Sequence, residues 1–121
     1  MTSLIETLTA YGQAWHENDA SKRMTLLDTA WAEDGIYQDP SADVRGRQAL
    51  CDHIGGVHDS FPGARVEITS GADMHHGKIR FFWRMVLEDG SVAIEGTDFG
   101  EIAPDGRLSK IIGFFGSPPV L

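Results

Sequence analysis

The sequence predicts a single α+β domain with an antiparallel sheet, and three observations carry that prediction. Apolar residues recur at helical spacing in the first third of the chain, as at Leu4, Leu8, Tyr11 and Trp15. The last third reads as three strands, Lys78–Leu87, Val92–Ile102 and Leu108–Phe115, separated by Glu88-Asp89-Gly90-Ser91 and Ala103-Pro104-Asp105-Gly106. Asp-Gly between apolar runs is a hairpin signal, because such turns need positive φ. Helices first and hairpin-joined strands last mark an α+β fold rather than a doubly wound parallel sheet.

Taken in order, Ser3 and Glu6 form a capping box for a first helix that runs to about Asn18. Asp19 or Ser21 caps a second, with Met24, Leu27, Ala30 and Trp31 as its inward stripe and Gly35 as its stop. Ile36–Asp39 is a short strand with Tyr37 and Asp39 on one side; Pro40 makes its end an edge or a strand terminus. Gly46–Ile54 reads as a short helix weakened by Gly55-Gly56, with Arg45 and Arg47 at the surface in loop and first turn. After the Phe61-Pro62-Gly63 turn, Ala64–Thr69 alternates as a half-buried strand, and Ser70–Gly77 connects to the three-strand meander.

With 121 residues there is room for one core, spanning 1–121. No apolar run nears the ~20 residues that cross a bilayer, and no signal peptide is evident. A lone Cys51 forms no internal disulfide, so a cytoplasmic location is expected. The net charge of −8 speaks against nucleic acid and anionic membranes as partners. No metal-ligand spacing and no phosphate loop occur, and neither metal nor cofactor is expected.

The hairpin register singles out one residue. With Asp89-Gly90 as a two-residue loop, Leu87 faces Val92, Arg84 faces Glu95 as a solvent-side pair, Trp83 faces Gly96 and Phe81 faces Asp98. Asp98 then stands on a wall with Phe81, Trp83, Met85 and Ile94. It is protonated or paired there, or the register slips by one and Asp98 turns outward to meet a cation such as Arg80.

The order helix, helix, Tyr-x-Asp-Pro, Gly-Arg-x-Ala-Leu, Phe-Pro-Gly and a final meander resembles the SnoaL-like branch of the nuclear transport factor 2-like superfamily. The resemblance covers nearly the whole chain. It implies a cystatin-like cone, a strongly curved antiparallel sheet closed by N-terminal helices around a pocket, and a homodimer packed through the sheet. Within that superfamily the spacing is similar to ketosteroid isomerase. That likeness implies Asp39, before Pro40, as a proton-transferring base, and Tyr11 with a neutral Asp98 as an oxyanion hole. Ile54 departs from it, falling where the isomerase has a supporting tyrosine.

The substrate implied is a small hydrophobic molecule. Its wall is expected from Phe81, Trp83, Met85 and Phe114 on the strands, and from Trp15, Trp31, Tyr37 and Phe61 elsewhere. Simpler readings stand beside these: Asp39 as a turn residue capping its loop, Tyr11 as a core tyrosine, the aromatic stripe as plain core. His53 and His58 flank Gly55-Gly56 near the expected pocket mouth; His75 and His76 are expected at the surface. Three functions follow: isomerase or cyclase chemistry α to a carbonyl, non-catalytic ligand binding or dimerisation, and hydrolysis or dehydration in the same pocket. The hydrolytic reading requires Arg80 on the same face as Asp98, which this register denies.

Overall fold

A computed structural model describes residues 3–121. The elements are α1 (Leu4–His16), α2 (Ala20–Ala30), β1 (Trp31–Asp39), β2 (Ala42–Arg45), α3 (Arg47–Ser60), β3 (Arg65–Ile68), β4 (Asp73–His75), β5 (Lys78–Val86), β6 (Val92–Ile102) and β7 (Leu108–Phe115). The strands make one curved, open sheet in the order β2-β1-β7-β6-β5-β3, with β4 also paired to β5. All pairings are antiparallel except β1 with β7, which are parallel. These two strands are distant in sequence, so no hairpin dictates their direction.

The caps form as their residues require. Ser3 Oγ accepts from the Glu6 N–H at 3.2 Å, and Asp19 Oδ1 accepts from the Lys22 N–H at 3.0 Å. Two helix ends differ from expectation, each because a glycine serves close packing instead of termination. The second helix stops at Ala30, and Trp31 enters the sheet opposite Leu108. Gly35 lies under the Trp31 indole, where a Cβ would stand 2.5 Å from Nε1. The third helix runs through Gly55-Gly56 to Ser60. At Gly55 the buried Arg23 guanidinium crosses it, 3.1 Å from where a Cβ would be. Arg23 donates to the carbonyls of Glu17, Asn18 and Cys51, tying the α1–α2 turn to α3.

Strands β2 and β4 are too short to show a period. Arg45 therefore lies in a strand, opposite Ile36, rather than in a loop. Arg47, in the first turn of α3, donates from Nε to the Trp31 carbonyl at 2.6 Å.

The meander keeps the expected register by a compensation. Leu87 N–H donates to Ser91 O, and Gly90 N–H to Leu87 O, which makes the loop three residues rather than two. Val86 then faces Val92, and a bulge at Ala93 restores Met85 opposite Ile94 and Phe81 opposite Asp98. The β6–β7 turn repeats the device: Ala103 pairs with Arg107, and Ser109 is the extra residue. Gly90 and Gly106 hold the left-handed position of each turn, at φ 88° and 91°.

The core fills the space between helices and sheet, with Tyr11, Leu27, Trp31, Leu50, Ile54, Leu108 and Ile111 fully buried. The opposite, convex face carries the exposed rings of Phe82, Phe99 and Phe114. There Arg84 stands opposite Glu95 but makes its ion pair with Glu67 of β3, at 2.9 Å. No helix among the described residues is long and apolar enough to cross a membrane.

Candidate functional site

Helices α1 and α3 cover the concave side of the sheet and enclose a cavity of about 250 Å³. A cavity of ~150 Å³ is enough for benzene, so this one suits a ligand of roughly ten non-hydrogen atoms, near one fused pair of rings. Most of its wall is carbon. Trp15, Tyr37, Phe61, Phe81, Trp83 and Met85 all line it, as expected.

Two of the expected wall residues lie elsewhere. Phe114 pairs opposite Thr97, one residue out of step with Asp98, so it points to the convex side; Phe115, opposite Gly96, lines the cavity instead. Trp31 sits behind the wall, fully buried and stacked on Tyr11 at 5.8 Å. It supports the tyrosine ring and does not line the cavity.

Tyr11, Asp39 and Asp98 all line the cavity. Asp98 projects from the middle of β6 between Phe81 on β5 and Gly113 on β7. It is 6% exposed, and its Oδ1 has no hydrogen-bond partner among the described residues. Burial pushes its pKa up to about 7, and the Asp39 charge pushes the same way. The Trp83 indole pulls in the opposite direction, yet its Nε1 also lacks a completed hydrogen bond. Gly96 opposite Trp83 gives the indole its seat, since a Cβ there would lie 2.3 Å from the ring.

Tyr11 Oη is buried without a partner in the same way. Burial, then the Asp98 charge, raises its pKa well above the usual phenol range, so it remains a donor. Tyr11 and Phe81 meet edge to face at 6.4 Å, which fixes the phenol against β5.

Asp39 is built differently. Its side chain is 5% exposed, but its oxygens are occupied: Oδ2 accepts from Tyr37 Oη at 2.6 Å, and Oδ1 from Ser41 N and Oγ at 2.7 and 2.8 Å. The turn-capping role and the cavity position thus coexist in one residue. Three donors on its two oxygens fix the orientation of the carboxyl at the cavity wall. Tyr37 is held protonated, its pKa raised chiefly by burial and further by the neighbouring Tyr11.

Ser41, which lay outside the expected site, and His53, expected near the pocket mouth, also line the cavity. His53 is three residues after the buried Leu50, on the face that continues to Val57. The stripe of Leu50, His53 and Val57 is complete only in a helix that runs past Ile54. His53 Nε2 lies 4.0 Å from Asp39 Oδ2 and has no hydrogen-bond partner among the described residues. Burial lowers its pKa, while Asp39 opposes the shift. The other histidines do not enter the cavity lining. His58 Nε2 contacts the Trp15 carbonyl at 2.9 Å, while His75 at the end of β4 and His76 in the following turn are exposed. Arg80 lies on the convex side in an exposed pair with Asp73 at 3.1 Å, so the hydrolytic reading loses its cation.

Comparison with known proteins agrees with this architecture. Residues 8–111 match the model of the SnoaL-like domain. A structure from Agrobacterium tumefaciens str. C58, provisionally named an isomerase of the SnoaL-like family, is 32% identical; the match covers 97% of this chain and 100% of that one, at a TM-score of 0.86. A Catenulispora acidiphila protein with a ketosteroid isomerase-like fold, in complex with trimethylamine, is 16% identical over 95% of this chain and 88% of its own, at 0.70. A provisionally named polyketide cyclase from Sinorhizobium meliloti is 18% identical over 88% and 92%, at 0.69. These last two show the fold alone. No curated protein matches the sequence significantly.

Proposed function

Because the chain belongs to the SnoaL-like family, we propose that it is a cofactor-independent enzyme of isomerase or cyclase type, moving a proton at a carbon next to a carbonyl in a small lipophilic substrate. One observation carries this reading. Among the described residues, four buried polar atoms make no completed hydrogen bond and belong to residues lining a single cavity: Tyr11 Oη, Trp83 Nε1, Asp98 Oδ1 and His53 Nε2. Buried polar groups are normally satisfied, and each orphan costs about 1–3 kcal/mol. A group of them around an apolar hollow favours a ligand that supplies the missing partners.

In this reading a substrate carbonyl accepts from Tyr11 and from protonated Asp98, and Asp39 removes the neighbouring carbon's proton. The C–H electron pair then rests on the oxygen as an enolate, stabilised by donors already in place. Ketosteroid isomerase divides its carboxyls between the same two roles, one ionised as base and one kept neutral by an apolar site.

The test is turnover of a panel of small bicyclic ketones and enones by the wild type and Asp39→Asn. A loss of about 10²–10⁴-fold supports the base assignment; unimpaired turnover removes it.

A binding module is the second reading, favoured by the three donors that already occupy Asp39. It predicts 2-naphthol binding with no turnover of any panel member. A homodimer through the convex face, where Phe82, Phe99 and Phe114 are exposed, and a cytoplasmic location, in keeping with the lone buried Cys51, complete the proposal.

A further inference from the structure

His53 contributes an unpartnered atom to the reading above but takes no step in it, and its geometry is defined. Trp15 meets its ring edge-on at 5.9 Å, and Tyr37 lies against it at 5.4 Å. The Nε2 atom is buried, unpartnered among the described residues, and 4.0 Å from Asp39 Oδ2. A carboxylate offers about four lone-pair sites. Ser41 meets both on Oδ1 and Tyr37 meets one on Oδ2, so the open site is on the oxygen nearer His53. The separation exceeds a hydrogen bond by about 1 Å, within reach of a small side-chain rotation. The two groups also differ in access: the His53 side chain is 18% exposed and that of Asp39 is 5%.

Resting on Asp39 as the base, we propose that His53 is its proton relay to solvent. The substrate C–H bond breaks, its electron pair moves onto the carbonyl oxygen, and an O–H bond forms on Asp39. That O–H bond breaks as Nε2–H forms, which restores the carboxylate and leaves an imidazolium. The imidazolium gives its Nδ1 proton to water. The reverse sequence brings a solvent proton to carbon. A carboxylate this buried, without an outlet, would instead return the proton it took. The substrate class is thus a ketone whose α-hydrogens exchange with water during turnover.

The experiment follows deuterium uptake by 2-tetralone, a bicyclic ketone of the cavity's size, in D2O by proton NMR, with 2-naphthol binding as the check that each variant keeps its pocket. Wild type is expected to speed exchange above buffer, Asp39→Asn to abolish it, and His53→Phe to lower it by about tenfold or more with 2-naphthol affinity kept. Added imidazole is expected to restore exchange to His53→Ala; if that variant loses 2-naphthol binding, His53→Gln replaces it as the non-titrating variant, expected to match His53→Phe. Exchange that depends on Asp39 but is unchanged in both His53→Phe and His53→Gln overturns the relay and leaves the base standing. No exchange above buffer in the wild type overturns both.

Discussion

Gly113 separates Asp98 from Asp39: a Cβ at position 113 would lie 2.8 Å from Asp98 Oδ1 and 3.4 Å from Asp39 Cβ. The two carboxyls belong to strands on either side of β7, roughly 10 Å apart at the backbone by ordinary strand spacing. The glycine leaves the intervening floor open. Gly113→Ala is therefore expected to displace Asp98, to cost about 1–3 kcal/mol in denaturant unfolding, and to weaken 2-naphthol binding. An alanine variant with wild-type stability and affinity would show that the gap is not used.

Asp98 should make stability depend on pH. Its folded pKa of about 7 lies above the ordinary 3.8, so the folded state binds the proton more tightly than the unfolded chain. The stability this contributes is fully present below about pH 4 and is lost as pH rises through about 7, a span on the order of 4 kcal/mol. Asp98→Asn, which carries no proton to lose, is expected to gain relative to wild type over that window. Denaturant midpoints at pH 4 and pH 8 measure it; parallel curves for the two proteins would mean that Asp98 titrates as an ordinary carboxyl.

Tyr11→Phe should separate stability from activity. Among the described residues the buried hydroxyl has no partner, so its removal is expected to leave stability unchanged or to raise it by about 1 kcal/mol. Turnover should fall by about 10²–10³-fold, as on loss of one oxyanion-hole donor. A destabilised variant of undiminished activity would make Tyr11 a packing residue.

The convex sheet face can be tested without a substrate. Phe82→Glu together with Phe114→Glu places two charges among exposed rings. Sedimentation is expected to show a dimer for the wild type and a monomer for the variant. A monomeric wild type would remove the sheet-mediated assembly.

The region most legible in the sequence was the meander, because Asp89-Gly90 and Asp105-Gly106 announce their turns and Phe81, Trp83 and Met85 alternate between them. The loop length was not legible: a residue added in each turn is matched by a bulge at Ala93 or Ser109, and neither leaves a composition signal. Gly35 and Gly55 misled for a common reason. A glycine that admits Trp31 or Arg23 is indistinguishable, in sequence, from one that stops a helix. Ending α3 at Ile54 drops Val57, and with it the stripe that continues from Leu50 through His53. Phe114 was misplaced because two adjacent phenylalanines alternate faces, and only the register of β7 against β6 says which one turns inward.

The central claim is that the cavity holds the Asp98 proton up to about pH 7, so that its acid form can donate beside Tyr11. Carboxyl NMR titration of Asp98, assigned by its loss in Asp98→Asn, measures this directly. The predicted midpoint is near 7; a midpoint near ~4, where an unperturbed aspartate titrates, would contradict the account.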